Sequence, residues 1–177
     1  MFRRCWAGRL WEVAGDRSLD FEFVARELTP TSSVVSGRRV WLTSNTDRRL
    51  SLDALLVNAD DRTPIVAEIK VGGDENVELG LFQALAAAAQ LSSSSQLRRL
   101  YREFYDSFAE GRPPNALDVY VVSARALERG VRPALADRAH ARTRDLMKPG
   151  ALAPWVRRIA FIEMTLNEGR PVFAAIA

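Results

Sequence analysis

The chain has 177 residues, 47% of them hydrophobic and 27% charged, a balance that suits one globular domain with a sizeable core and excludes wholesale disorder. Its formal net charge of +3 comes from 23 arginines and two lysines, Lys70 and Lys148, against 22 acids, an excess too small to name a polyanionic partner by itself. The single cysteine, Cys5, excludes an internal disulfide framework and a cysteine-cluster zinc site, and the single histidine, His140, argues against His-based metal centres.

The opening MFRRCWAGRLWEVAGDR has no apolar stretch of signal-peptide length. The longest apolar run, Leu79 to Leu91, is interrupted by Gly80, Gln83 and Gln90, so a cytoplasmic protein without a membrane span is expected. SLDFEFVARELTP (18–30) predicts a short helix with Ser18 as N-cap and Pro30 just past its end. RRVWLT (38–43) and RLSLDALLVN (49–58) are strand-like, and the tight polar connection NADDRTP (58–64) leads into IVAEIKV. Together the three runs predict an antiparallel meander, stopped by Gly72 and Gly73. A long helical pattern starts near Glu75 and runs through LGLFQALAAAAQL to QLRRLYREFYDSFAEG; the serines at 92–95 are either a kink or a break. ALDVYVVSA (116–124) reads as a strand, and the arginine-rich 125–148 as mostly helical, with His140 on its surface. RRIAFIEMTLNEGRPVFAAIA closes the chain as strand, turn at Asn167–Gly169, and strand. This order predicts an α/β fold (an α+β mixed sheet) with a central mixed β-sheet flanked by helices, in a single domain over 1–177. If the strands on either side of the long helix are parallel, their connection is a right-handed crossover.

Glu68 and Lys70 stand out. In a strand alternate side chains share a face, so these two charges point one way while Ile65, Ala67, Ile69 and Val71 point the other. Burying either charge alone costs several kcal/mol, and a buried pair often only breaks even. In a chain that nearly always uses arginine, a lysine here suggests a compact, titratable amine that arginine cannot imitate. One explanation is a wet strand end; the sharper one is that Glu68 coordinates a divalent cation with Lys70 beside it. Asp53, fifteen residues earlier on the preceding strand, supplies a second carboxylate on the face of Leu55 and Val57. Two carboxylates and a backbone carbonyl, with substrate phosphate and water, suit a hard cation such as Mg²⁺ or Mn²⁺.

Asp53, then Glu68-Ile69-Lys70 at a strand end, then a helix carrying Gln83, resembles the PD-(D/E)xK nuclease superfamily, the restriction-endonuclease-like fold. Leu52-Asp53 stands where the loose proline–aspartate would be, so the proline is missing, and the resemblance covers about residues 18–124; 125–177 would add a helix and two strands. The resemblance implies a restriction-endonuclease-like core and Mg²⁺-dependent hydrolysis of phosphodiester bonds, in DNA rather than RNA. Asp53, Glu68 and the Ile69 carbonyl would hold the metal, Lys70 would assist the attacking water, and Gln83 would position it. The family often adds a glutamate from the first helix. At 100° per residue Glu27 falls within the arc of Leu19, Phe23, Val24 and Leu28 and Glu22 outside it, which selects Glu27.

Arg98, Arg99 and Arg102, and the arginines between 125 and 144, are candidates for phosphate contacts. No appended recognition domain is visible, so sequence specificity would come from loops, a homodimer or a partner subunit. The alternative from another class is a catalytically inactive nuclease-like fold acting as a nucleic-acid-binding or protein-interaction module, with Trp6, Trp11, Trp41 and Trp155 as anchors. In a third, Glu68 and Lys70 are an ordinary strand-end ion pair.

Overall fold

The computed structural model describes residues 9–28, 52–71, 76–108, 114–124 and 154–176, with isolated positions at 141, 144 and 145. The predicted strand at 38–43, nearly all of the arginine-rich 125–148, Gly72–Gly73, Trp6 and Trp41 lie outside the described residues.

Eight strands form one mixed sheet: β1 (Leu10–Trp11), β2 (Val13–Ala14), β3 (Phe21–Leu28), β4 (Leu52–Asn58), β5 (Pro64–Val71), β6 (Leu117–Ala124), β7 (Val156–Asn167) and β8 (Arg170–Ala175). Their order across the sheet is β1-β3-β4-β5-β6-β7-β8-β2. β1 pairs with β3 at one edge and β2 with β8 at the other, with only Glu12 between them. One short strap therefore joins both edges, and the sheet is a nearly closed barrel.

Two α-helices are present among the described residues, α1 (Val77–Leu91) and α2 (Ser94–Glu103), and they cover one stretch of the barrel's outer face. This corrects the expected sheet flanked by helices and the restriction-endonuclease-like core. The correction begins at 18–30. Residues 17–19 form one 3₁₀ turn capped by Asp16, whose Oδ1 accepts from the Ser18 amide, and Phe21–Leu28 continues as strand β3. Phe21 and Phe23 point into the barrel while Glu22 faces out to Arg62 at 2.8 Å. A register shift between Phe23 and Ala25 breaks the period of two, and that irregularity let the segment imitate a helical arc.

The later elements follow the expectation. β4 and β5 pair antiparallel across a turn closed by Asn58, whose Oδ1 accepts from the amides of Asp60 and Asp61. β5 and β6 are parallel, joined through α1 and α2. The serine run is a break: Ser92 ends α1 and the Ser93 hydroxyl caps α2. β7 and β8 form a hairpin with Glu168 and Gly169 both at positive φ, the backbone that a tight two-residue turn requires. None of the described helices is long and apolar enough to cross a membrane.

Alternation divides the apolar residues into two cores. Trp11, Val13, Phe21, Leu56, Ile65, Tyr120, Ile162 and Phe173 fill the barrel interior, as expected for eight strands. Edge-to-face rings pack there: Trp11 on Phe173 at 5.2 Å and Phe21 on Phe173 at 5.0 Å. Leu55, Val57, Val66, Val119, Val121 and Phe161 point outward and are covered by α1 and α2. Trp11 is thus a core residue of the strap rather than a partner anchor, and Trp155 packs against the outer core.

At the amino ends of β6 and β7, Arg157 grips fully buried Asp118 with two hydrogen bonds, Nε to Oδ1 at 2.9 Å and Nη2 to Oδ2 at 2.6 Å, and its Nη1 donates to Asp61 in the β4–β5 turn. Desolvation works to raise the Asp61 carboxyl, but the Arg157 hydrogen bond and the Thr63 amide outweigh it and hold it below the usual carboxylate range.

Two tests follow from this architecture. Trp11→Ala should destabilise the chain by about 3–5 kcal/mol in urea unfolding, since it empties the strap's anchor. A depressed folded-state pKa gives stability that is present at neutral pH and lost as pH falls through that value. Wild type and Asp61→Asn should therefore differ in thermal stability at pH 7 and converge below about pH 4.

Candidate functional site

The charged pair lies on the outer wall of the barrel, under α1. Glu68 and Lys70 are 5% and 7% exposed, and Lys70 Nζ donates to Glu68 Oε1 at 3.1 Å. It also donates to Gln83 Oε1, on α1, at 2.6 Å. Strand alternation explains the placement: Ile65, Ala67 and Ile69 belong to the barrel interior, so Val66, Glu68 and Lys70 face the helix. The pair is a buried ion pair, not the wet strand end that the sequence left open.

Asp53 is half-buried near the start of β4, and its Oδ2 accepts from the Ile69 amide at 2.8 Å. The pairing runs from Val57↔Pro64 to Ala54↔Ala67 and ends there, so Asp53 and Glu68 are the next residues along their strands, just past the last pair. Ile69 N–H points toward β4, and so do Ala67 and Ile65 two and four residues back. Asp53 thus meets β5 through its side chain, at the Ile69 amide, immediately beyond Glu68. Because an extended residue projects its N–H and C=O to the same side of the strand, the Ile69 carbonyl is directed at the same β4 edge. Asp53, Glu68 and the Ile69 carbonyl are oxygen donors by chemistry, the kind a hard divalent cation that keeps several waters would take. Among the described residues no three Asp, Glu, His or Cys side chains gather closely enough to hold a metal by themselves.

Glu27 does not stand on a helix. It is exposed on β3 at φ +51°, so the arc that selected it does not exist, although the register (Arg26↔Ala54, Leu28↔Leu52) brackets it opposite Asp53. Arg98, Arg99 and Arg102 are exposed on α2, the helix after the one that carries Gln83. Arg98 and Arg102 line a shallow depression with Ser95 and Tyr101, and Arg99 pairs with Glu103 one turn on at 3.9 Å. Ser123 and Glu163 continue the row across the parallel strands (Lys70↔Ser123↔Glu163), a placement that register alone reveals.

Sequence reasoning also missed Gly80. A Cβ there would lie 3.0 Å from Lys70 Cε and 3.2 Å from Val121 Cγ1. The available signal was a glycine inside a helical run, one turn before Gln83, where helix propensity favours almost any other residue.

Breaking the pair from either side strands a buried charge. Glu68→Leu and Lys70→Met should each destabilise the chain by about 3–5 kcal/mol in urea, whereas the double variant should recover most of that loss. A double variant no more stable than the singles would show that the pair is not the unit that matters.

No protein-family model, no curated protein and no solved structure matches this chain, so its chemistry is read from Asp53, Glu68, Lys70 and Gln83 themselves.

Proposed function

We propose that this chain is a divalent-metal-dependent nuclease with a site of the PD-(D/E)xK kind, hydrolysing phosphodiester bonds in DNA. The observation that carries this reading is the buried Lys70 ammonium, hydrogen-bonded to Glu68 and Gln83 on the same rim as Asp53. Burying an ammonium against a carboxylate is hard to explain by stability, since apolar residues of similar volume pack as well or better. It suits a site that must handle a phosphate ester.

Asp53, Glu68 and the Ile69 carbonyl would hold Mg²⁺ or Mn²⁺, which when bound supplies Lewis acidity and lowers the pKa of water. Lys70 contributes a positive charge where the transition state becomes more negative, and its amine can orient the attacking water or move its proton. Gln83 fixes the amine through its Oε1, which leaves its amide N–H₂ as a donor group at the same place. The arginines of α2 are candidates for contacts with phosphates away from the scissile bond.

The test is cleavage of plasmid, linear duplex and single-stranded DNA in Mg²⁺ and in Mn²⁺. Asp53→Ala, Glu68→Gln and Lys70→Gln, each checked for folding by near-UV circular dichroism, should lower the rate by roughly 10²-fold or more. A wild-type chain that cleaves no nucleic acid with either ion, or variants that keep the full rate, would overturn the proposal. Calorimetric titration with Mn²⁺ separates the alternative module: no ion binding, with DNA binding intact, favours a non-catalytic protein.

A further inference from the structure

We infer that Gly80 is a positioning residue, a notch in α1 through which the Lys70 stem passes to reach Gln83. The buried stripe of α1 consists of Val77, Gly80, Leu81, Ala84, Ala87, Ala88 and Leu91, and only at residue 80 does the side chain vanish. At that point the lysine stem runs between α1 and β6: a Cβ at 80 would stand 3.0 Å from Lys70 Cε, 3.4 Å from Lys70 Cγ and 3.2 Å from Val121 Cγ1. Cε is one bond from Nζ, and an unrestrained lysine would swing away from such a contact. Here Nζ is tethered at 2.6 Å to Gln83 Oε1 and 3.1 Å to Glu68 Oε1, so the stem cannot yield without loosening one of those bonds. Val121, on the other side, is anchored in β6 between β5 and β7. Glycine in a helix interior is intrinsically unfavourable relative to alanine, and the passage of Lys70 offsets that penalty. The notch and the glutamine lie three residues apart, on adjacent turns of one helix face, so a single helix both admits the stem and receives its end.

The functional meaning of the notch rests on the proposed role of Lys70, but its test does not. The chain has two lysines, so Lys148→Arg leaves Lys70 as its only side-chain amine. In that background, with the amine labelled for NMR, acetic anhydride should modify Lys70 slowly. Adding Gly80→Ala should speed the modification about tenfold, the factor expected when an ammonium loses one hydrogen bond. A thermodynamic cycle excludes a merely structural glycine. Gly80→Ala should lower the urea midpoint with Lys70 present and leave it unchanged or raise it in Lys70→Ala, where the stem is gone and helix propensity alone remains. If Gly80→Ala does not fold, Gly80→Ala with Val121→Ala removes the second contact and keeps both readouts. Equal destabilisation in both lysine backgrounds, or an unchanged modification rate, would overturn the inference. Lack of nuclease activity with the cycle and the amine reactivity as expected would sink the function proposed above and leave the notch standing.

Discussion

An ammonium that has left water must be met by acceptors on every side, and that constraint organises the outer wall of this barrel. Lys70 is buried, so Glu68 two residues earlier and Gln83 from the covering helix both turn toward it. Each neighbour is then constrained in turn. Glu68 must share the lysine's face, which fixes the strand's alternation and sends Ile69 into the barrel interior. Gln83 must stand over the strand, which fixes the rotation of α1, and at residue 80, where a Cβ would stand 3.0 Å from Lys70 Cε, α1 carries no side chain. Asp53 completes the rim by taking the Ile69 amide after the β4–β5 ladder has ended, so that donor does not go unpaired.

The two ends of the parallel strands treat charge differently. At the amino end Arg157 presents its planar fork to Asp118 and reaches on to Asp61, a geometry that saturates a buried carboxylate with matched donors. Such an arrangement holds a structure together and leaves little for a ligand. At the carboxyl end a flexible amine donates to the Glu68 carboxylate and to the neutral Gln83 amide oxygen, with the Asp53 carboxylate at the neighbouring Ile69 amide.

Much of this was legible because strands carry their own ruler. The alternation of PIVAEIKV separates the charged face from the apolar one, and the runs at 52–58, 117–124 and 156–175 announce themselves through β-branched and aromatic content with a turn at Asn167–Gly169. Three features were not legible. In FEFVAREL a register shift after Phe23 and the positive φ of Glu27 break the period, so a strand passes for a helix and Glu27 is assigned by an arc that is not there. Barrel closure depends on two strands of two residues each, too short for any periodicity, and on pairings with β3 and β8, the latter more than 150 residues away in the chain. Gly80 was hidden for a third reason: its contribution is an absence of atoms, which acquires meaning only once the lysine stem is seen beside it.

Closure of the barrel does not compete with the site, because the two use opposite faces of the same strands. The interior is packed with aromatic rings, and its one phenol, Tyr120, donates to the Leu19 carbonyl while burial pushes its ionisation upward. The outer face is different: α1 and α2 shield a second apolar core along most of their length, and only toward the carboxyl end of β5 does that core give way to Glu68, Lys70 and the adjoining Asp53. In the proposed nuclease, a phosphate ester would approach along this rim, from the side of α1. The closed wall behind it fixes the strand register on which the spacing of the two carboxylates depends. A stiff support of this kind matters for any chemistry in which a few tenths of an ångström decide whether an acid, an amide and an amine act on one atom.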